Sequence, residues 1–184
     1  MNPVSGQYPE LVMGVRNRST LKACRDNADA VYFSLDRFSL RARATDITTE
    51  NLEFFVSQAK NYGLKCYLAI NSVIYPEDLQ ELEEVLDNVS GIDIDAVIAW
   101  DPAVIKKVAE RGLRIHISTQ ANVSNWESAE FYKSMGASRV ILSRELTLEQ
   151  IKQIRKNTDM ELEVFVHGAM CQAISGRCYL SSYL

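Results

Sequence analysis

Residues 96–119 read AVIAW-DPAVIKKVAE-RGLRIHIST, and this stretch holds one complete fold unit. Ala96–Trp100 is a short continuous apolar run, the pattern of a strand buried on both faces. Asp101-Pro102 makes a good helix start, with Asp as cap and Pro in the first turn. The same pair ends a strand, so a site role for Asp101 stays equally open. A helix is predicted over Pro102–Glu110, and Gly112 sits where a C-cap glycine belongs. Arg114–Thr119 is then a second strand, which completes a strand–helix–strand unit.

Moving outward, the alternation recurs along the chain. Further strands are predicted at Glu10–Val15, Asp29–Ser34, Leu64–Asn71, Arg139–Ser143 and Glu161–His167. Further helices are predicted at Ser19–Asn27, Thr49–Tyr62, Glu77–Val89, Asn125–Met135 and Thr147–Asn157. Leu52, Phe55, Val56 and Ala59 form one apolar helix face, and Leu79, Leu82, Leu86 and Val89 form another. Gly63 and Gly136 end helices, and Thr147 with Gln150 has capping-box spacing. Repeated units of this kind build an open doubly wound sheet or a (β/α)8 barrel. No glycine-rich phosphate loop follows the first strand, and polar residues recur at nearly every strand end, so the barrel is expected. The fold class is therefore α/β, parallel and TIM-barrel-like. A closed barrel takes about 250 residues. The 184 residues are thus expected to form a single domain over 1–184 with seven strands present and its C-terminal part missing.

Composition bounds the function. The chain is 47% hydrophobic and 24% charged, which is ordinary for a globular domain. No apolar run approaches the roughly 20 residues of a membrane span. The first residues lack the layout of a signal peptide, so a cytoplasmic setting is expected. Net charge is −4, yet residues 1–45 carry seven basic side chains against four acidic ones. That surplus allows a local basic face but not a general nucleic-acid-binding surface. Cys24 and Cys66 fall in a predicted helix and strand and read as small buried apolar residues.

In a barrel, the strand ends converge on one mouth. The segment after strand two carries Arg41 and Arg43, and strand three ends at Asn71. Strand five ends at Thr119-Gln120 with Asn122 close behind. Strand six ends at Ser143-Arg144-Glu145, and strand seven at His167. Amides, arginines and an imidazole suit a polar, anionic ligand. Each also has a plain reading: Arg144 and Glu145 as a surface pair, Gln120 as an ordinary loop residue. His116, mid-strand, reads as a hydrogen-bonded interior or interlayer residue rather than a catalyst.

Residues 161–182, ELEVFVHGAMCQAISGRCYLSS, place Cys171 and Cys178 around a Ser-Gly turn just past the last strand. Thiolates are soft ligands for iron–sulfur clusters and zinc. Two cysteines cannot complete a four-thiolate site, and six intervening residues exceed the usual metal spacing. A Cys171–His167 nucleophilic pair would need a contact that the sequence alone does not establish.

The stretches Glu163–Cys171 and Ser175–Ser181 resemble the signature of the peptidase U32 family, the collagenase-like proteases. Ala28–Phe33, Phe38–Arg43, Ser118–Asn122 and Val140–Leu146 are similar to further blocks of that family, in order. The resemblance covers about residues 8–184. It implies a barrel-type catalytic domain, a peptidase in some members and an RNA- or ubiquinone-precursor-hydroxylating protein in others. It also implies an iron–sulfur cluster on four cysteines, the first two matching Cys171 and Cys178, and prephenate as a cosubstrate in some members. One departure stands out: Leu11–Arg18 is basic where the family has a small, proline-containing loop.

Three functions follow from the residues and the resemblance. The first is a cluster-dependent enzyme hydroxylating transfer or ribosomal RNA. Cys171 and Cys178 would hold iron. His167, Asn71, Gln120 and Glu145 are its candidate catalytic residues, and Arg41, Arg43, Asn122 and Arg144 its candidate substrate-binding residues. The second is a peptidase, for which no His-Glu-x-x-His motif or serine elbow is present. The third is a non-catalytic fragment or binding subunit working with a partner.

Overall fold

The computed structural model describes residues 8–40, 42, 45–168 and 171–178. Seven strands form one parallel sheet in strict chain order: β1 Val12–Gly14, β2 Ala30–Ser34, β3 Lys65–Ala69, β4 Ala96–Ala99, β5 Ile115–Ile117, β6 Ala137–Ile141 and β7 Glu161–Glu163. Six helices connect them: α1 Arg18–Cys24, α2 Leu52–Asn61, α3 Leu79–Ser90, α4 Pro102–Glu110, α5 Trp126–Ser134 and α6 Leu148–Asn157. This is the expected TIM-barrel-like architecture, a curled sheet of seven strands with helices. Among the described residues no helix is long and apolar enough to cross a membrane.

The caps explain the helix starts. Asp101 Oδ1 accepts the Ala103 N–H at 2.8 Å, so the cap reading of Asp101 is realised. Thr147 and Gln150 exchange reciprocal hydrogen bonds, with N–H···O distances of 3.3 and 2.8 Å. Helix α1 starts one residue before the sequence-based expectation. Asn17 forms a capping box with Thr20 that the pattern of apolar residues does not reveal.

The strands sort their side chains between two cores. Val31, Phe33, Cys66, Leu68, Val97, Ile115, Ile117 and Val140 face outward and pack with Phe55, Leu86, Ile105 and other helix residues. Cys24 and Cys66 are both buried there, as free thiols. The inner core is smaller: Ala30, Tyr67, Ala69, Ala96, Ile98 and Ile141, with Val12 and Tyr32 against them. Gly14 leaves room for this inner packing. A Cβ there would lie 2.8 Å from the Tyr32 ring on the neighbouring strand.

Ion pairs hold the curl at the amino ends of the strands. Arg139 on β6 donates to Glu10, just before β1, at 2.8 Å. Glu10 also accepts from Lys65 at 2.6 Å and from the Tyr67 hydroxyl at 2.7 Å. Arg139 reaches on to Glu161 at 2.9 Å and Glu163 at 3.2 Å. Burial works against the Glu10 carboxylate, but hydrogen bonds from Arg139, Lys65 and Tyr67 prevail and hold its pKa at about 2. His116 lies in this interior, as expected. It is buried with its ring edge-on to Tyr67 at 4.7 Å, but the expected hydrogen bonding is not realised: its Nδ1 has no partner among the described residues. A cavity of about 70 Å³ lined by Lys65, Tyr67, Asp95, Arg114, His116 and Arg139 sits here, at the opposite end from the expected mouth.

Strand β7 is shorter than the expected Glu161–His167. Leu142 N–H still bonds Glu163 O at 2.9 Å, but Ser143 N–H turns to Val123 O at 3.0 Å. The β6 side thus offers no further ladder to residues 164–167, which are exposed.

Two outcomes are expected. Arg139→Met leaves the partly buried Glu163 unpaired and takes one of three partners from Glu10, and lowers unfolding free energy on the order of 3 kcal/mol in urea titrations. Lys65→Met, at a more exposed pair, costs under about 1 kcal/mol in the same measurement. The second outcome concerns pH. Burial, reinforced by Arg139 and Arg114, pushes the His116 pKa from 6.5 down to about 3. The unfolded chain then binds the proton first, so stability is full above 6.5 and falls as pH drops toward 3. His116→Phe should flatten the stability profile between pH 6.5 and 4.5, above the range where Glu10 begins to titrate.

Candidate functional site at the carboxyl ends of the strands

The loop after β2 is tied to the end of β3 by Asn71. Asn71 N–H donates to Phe38 O at 2.9 Å, and its Oδ1 accepts from Leu40 N–H and the Ser39 hydroxyl, both at 3.3 Å. Its carbonyl accepts the Trp100 indole N–H at 2.9 Å. Phe38 takes a left-handed φ of 53°, a conformation that a non-glycine residue holds only when its surroundings impose it. Asn71 therefore positions the segment leading to Arg41 and Arg43, which themselves lie outside the described residues.

The ends of β5 and β6 lock together. Ser118 Oγ accepts the Gln120 N–H at 3.3 Å and starts a 3₁₀ turn over Thr119–Ala121. Asn122 ends that turn with φ 52° and ψ 47°. The Ser143 hydroxyl lies 2.7 Å from Asn122 Oδ1. Asn122 and Gln120 thus shape the rim from one side, and Asn122 spends its side-chain oxygen on β6.

Arg144 and Glu145 face the cysteine turn. Arg144 Nη2 donates to Ala173 O at 3.0 Å, Nη1 to Cys171 O at 3.5 Å, and Nε to Ser175 Oγ at 3.4 Å. Glu145 Oε1 accepts the Ser175 N–H at 2.8 Å and the Ser175 hydroxyl at 3.2 Å. Burial opposes the Glu145 carboxylate weakly, and the Ser175 amide and hydroxyl hold its pKa below the ordinary value. Both side chains are engaged by the protein itself and do not pair as a simple surface salt bridge.

The two thiols meet across this turn. The Ala173 amide, then the Cys178 thiol and Arg144, lower the Cys171 pKa. His167 is not among the groups acting on Cys171; it is exposed, after the end of β7. No disulfide joins Cys171 and Cys178. Gly176 closes the turn with φ +74°, and a Cβ there would collide with the carbonyl oxygen of Gln120.

Ser175, only 2% exposed, is the central residue that the sequence reading passed over. Its place in a Ser-Gly turn between two cysteines was the available signal. The basic Leu11–Arg18 segment proves to be mainly structural: Asn17 caps α1, while Arg18 bonds Gln58 at 3.0 Å and lies over the Phe54 ring.

Residues 17–184 match the family model described as Peptidase family U32. The chain is 48% identical over 181 residues to an uncharacterized protease of Methanocaldococcus jannaschii, covering 95% of this chain and 44% of that protein. It is 44% identical over 160 residues to tRNA hydroxylation protein P of Escherichia coli, covering 85% of this chain and 35% of that protein. The chain thus spans less than half the length of these relatives. A solved U32 peptidase structure superposes with a TM-score of 0.75 at 20% identity, covering 89% of this chain and 71% of that one, and so shares the fold.

Gly176→Ala forces a side chain into the Gln120 carbonyl and should cost about 2 kcal/mol in denaturant unfolding. Gly168→Ala is the comparison: its φ is also positive, at +141°, but a Cβ there meets nothing within 4 Å. The larger loss, with increased thiol labelling at Cys171 and Cys178, is expected only for Gly176→Ala.

Proposed function

The chain belongs to peptidase family U32, and from that premise we propose that it is the barrel portion of an iron–sulfur-dependent enzyme that hydroxylates transfer or ribosomal RNA. The observation carrying this reading is the convergence of the two free thiols, Cys171 and Cys178, at the carboxyl ends of the strands. Soft thiolates beside a guanidinium suit cluster iron. Among the described residues no three His, Cys, Asp or Glu side chains group as a metal site. The pair therefore fits as half of a four-thiolate set, the other half coming from elsewhere in the protein or from a partner subunit. When bound, the cluster supplies one-electron chemistry.

The chain's own residues supply binding and orientation. Arg41 and Arg43 carry the positive charge for an anionic cosubstrate such as prephenate, on the loop that Asn71 anchors. Gln120 and Asn122 shape the opposite rim, and exposed His167 is free to reach substrate. Arg144 and Glu145 hold the cysteine turn, and Arg144 keeps N–H groups for an anionic substrate. The relative named as a tRNA hydroxylation protein supports an RNA substrate, and such a reaction needs no membrane.

A peptidase is the second reading, favoured by the relative named as a protease at 48% identity. The groups acting most strongly on Cys171 are an amide, a thiol and a guanidinium, and among the described residues no imidazole hydrogen-bonds to it.

Anaerobic reconstitution of the full-length protein should yield the visible absorption of an iron–sulfur cluster, lost in Cys171→Ser and Cys178→Ser. RNA isolated from cells lacking the protein should lack one oxygen atom at the modified base by mass spectrometry. A colourless protein with all cysteines intact would sink the cluster reading. Gelatin cleavage abolished by Cys171→Ala would establish the peptidase instead.

A further inference from the structure

We propose that Ser175 and Arg144 are positioning residues that fix the separation of Cys171 and Cys178, so that the two thiols act as one preformed chelating unit for a thiophilic metal centre. This rests on the reading of both thiols as ligands. The inference begins with an imbalance. The segment between the cysteines has no strand or helix of its own; its regular support ended with β7 at Glu163. What fixes it comes from Arg144 and Glu145, in the turn just after β6.

Ser175 lies at the focus. Its Oγ is 3.2 Å from the Arg144 N–H, 3.4 Å from Arg144 Nε and 3.2 Å from Glu145 Oε1, while its own N–H reaches Glu145 at 2.8 Å. One buried hydroxyl thus accepts from the backbone and side chain of one residue and donates to the next. The Arg144 guanidinium extends the same hold to the carbonyls of Ala173 and Cys171. Its planar fork is what allows it to serve three acceptors at different heights in the turn, which a lysine ammonium on a flexible stem does less well. On the far side, Gly176 rests against the Gln120 carbonyl, so the turn after β5 backs the segment that Arg144 and Glu145 grip.

Two chemical consequences follow. Arg144 directs Nε, Nη1 and Nη2 each to an acceptor in the turn and keeps two of its five N–H groups for other partners. The chelating geometry also belongs to the protein before any metal arrives. Ordering a loop to bring two thiols together would otherwise draw on binding energy, and preorganisation removes that cost.

The test uses phenylarsine oxide on the purified full-length protein. This reagent forms two S–As bonds to a suitably spaced dithiol and releases one water. Mass spectrometry of the bridged peptides locates the capture at Cys171 and Cys178. Capture is expected for the wild type and absent in Cys178→Ser. Ser175→Ala and Arg144→Gln should each weaken it about tenfold, the scale of losing one or two hydrogen bonds. Arg144→Lys should fall between Arg144→Gln and wild type. Alkylation of each single thiol by iodoacetamide should stay within about twofold in Ser175→Ala, because positioning and not exposure has changed, and should fall at Cys171 in Arg144→Gln, which removes the charge that favours its thiolate.

Unchanged capture in both Ser175→Ala and Arg144→Gln would overturn the proposal. So would weakened capture accompanied by a parallel rise in alkylation at both thiols, which would mark plain unfolding of the turn. Capture with the expected variant pattern in a protein that never assembles a cluster would refute the cluster reading alone and leave the positioning role standing.

Discussion

The bond between Arg139 and Glu10 is the contact on which the shape of the sheet depends. Seven parallel strands in chain order can twist as an open sheet or curl toward closure, and hydrogen-bonded neighbours alone do not choose. Arg139 lies on the sixth strand and Glu10 just before the first, yet their polar atoms are 2.8 Å apart. A flat sheet would hold them several strand spacings apart, each about 4.8 Å. The same guanidinium also holds Glu161 and Glu163, so one side chain joins the two ends of the sheet at its amino-end floor. Partial burial makes that junction strict: leaving one partner alone in a low-dielectric interior is far worse than leaving both in water.

The curl has a chemical polarity. The outer layer, between sheet and helices, is a continuous hydrocarbon core, and it carries the stabilisation by burial. The inner layer is thin, built on alanines, a few large side chains and the charged floor. Buried His116 stays neutral there because the cations around it oppose its protonation as burial does. Structural chemistry thus occupies the amino ends, and the carboxyl ends are left to loops whose polar groups hold each other in place.

The fold was largely legible because it rests on repetition. Residues 96–119 show the unit, Asp101 and Gly112 punctuate it, and the hydrophobic run of each strand fits burial on two faces. Edge behaviour was not legible. The apolar run after Glu163 reads as strand, but β6 has turned away to Val123 and offers it no partner. The site was legible as a set of residues and not as a set of roles. Asn71, Arg144 and Glu145 do stand at strand ends, yet the structure spends them on loops. A residue type at a strand end states what it could bond; only the neighbouring loop decides what it does bond. Ser175 showed only as part of a Ser-Gly turn, and its role emerges once the exposed Glu145 carboxylate and the half-buried Arg144 guanidinium beside it are placed.

The grip on Ser175 has a consequence for inheritance of the site. The cysteine turn is borne by the turns that follow the two preceding strands and not by the strand that leads into it. Residues 164–167 work as a slack lead between β7 and the turn, exposed and outside the sheet. Length changes in such a lead are tolerated far better than changes in a rigid connection, because closing a slightly longer loop costs little. The path of this lead has freedom, while the thiols keep their place. Substitutions at positions 144, 145, 175 and 176 carry no such freedom and would have to change together.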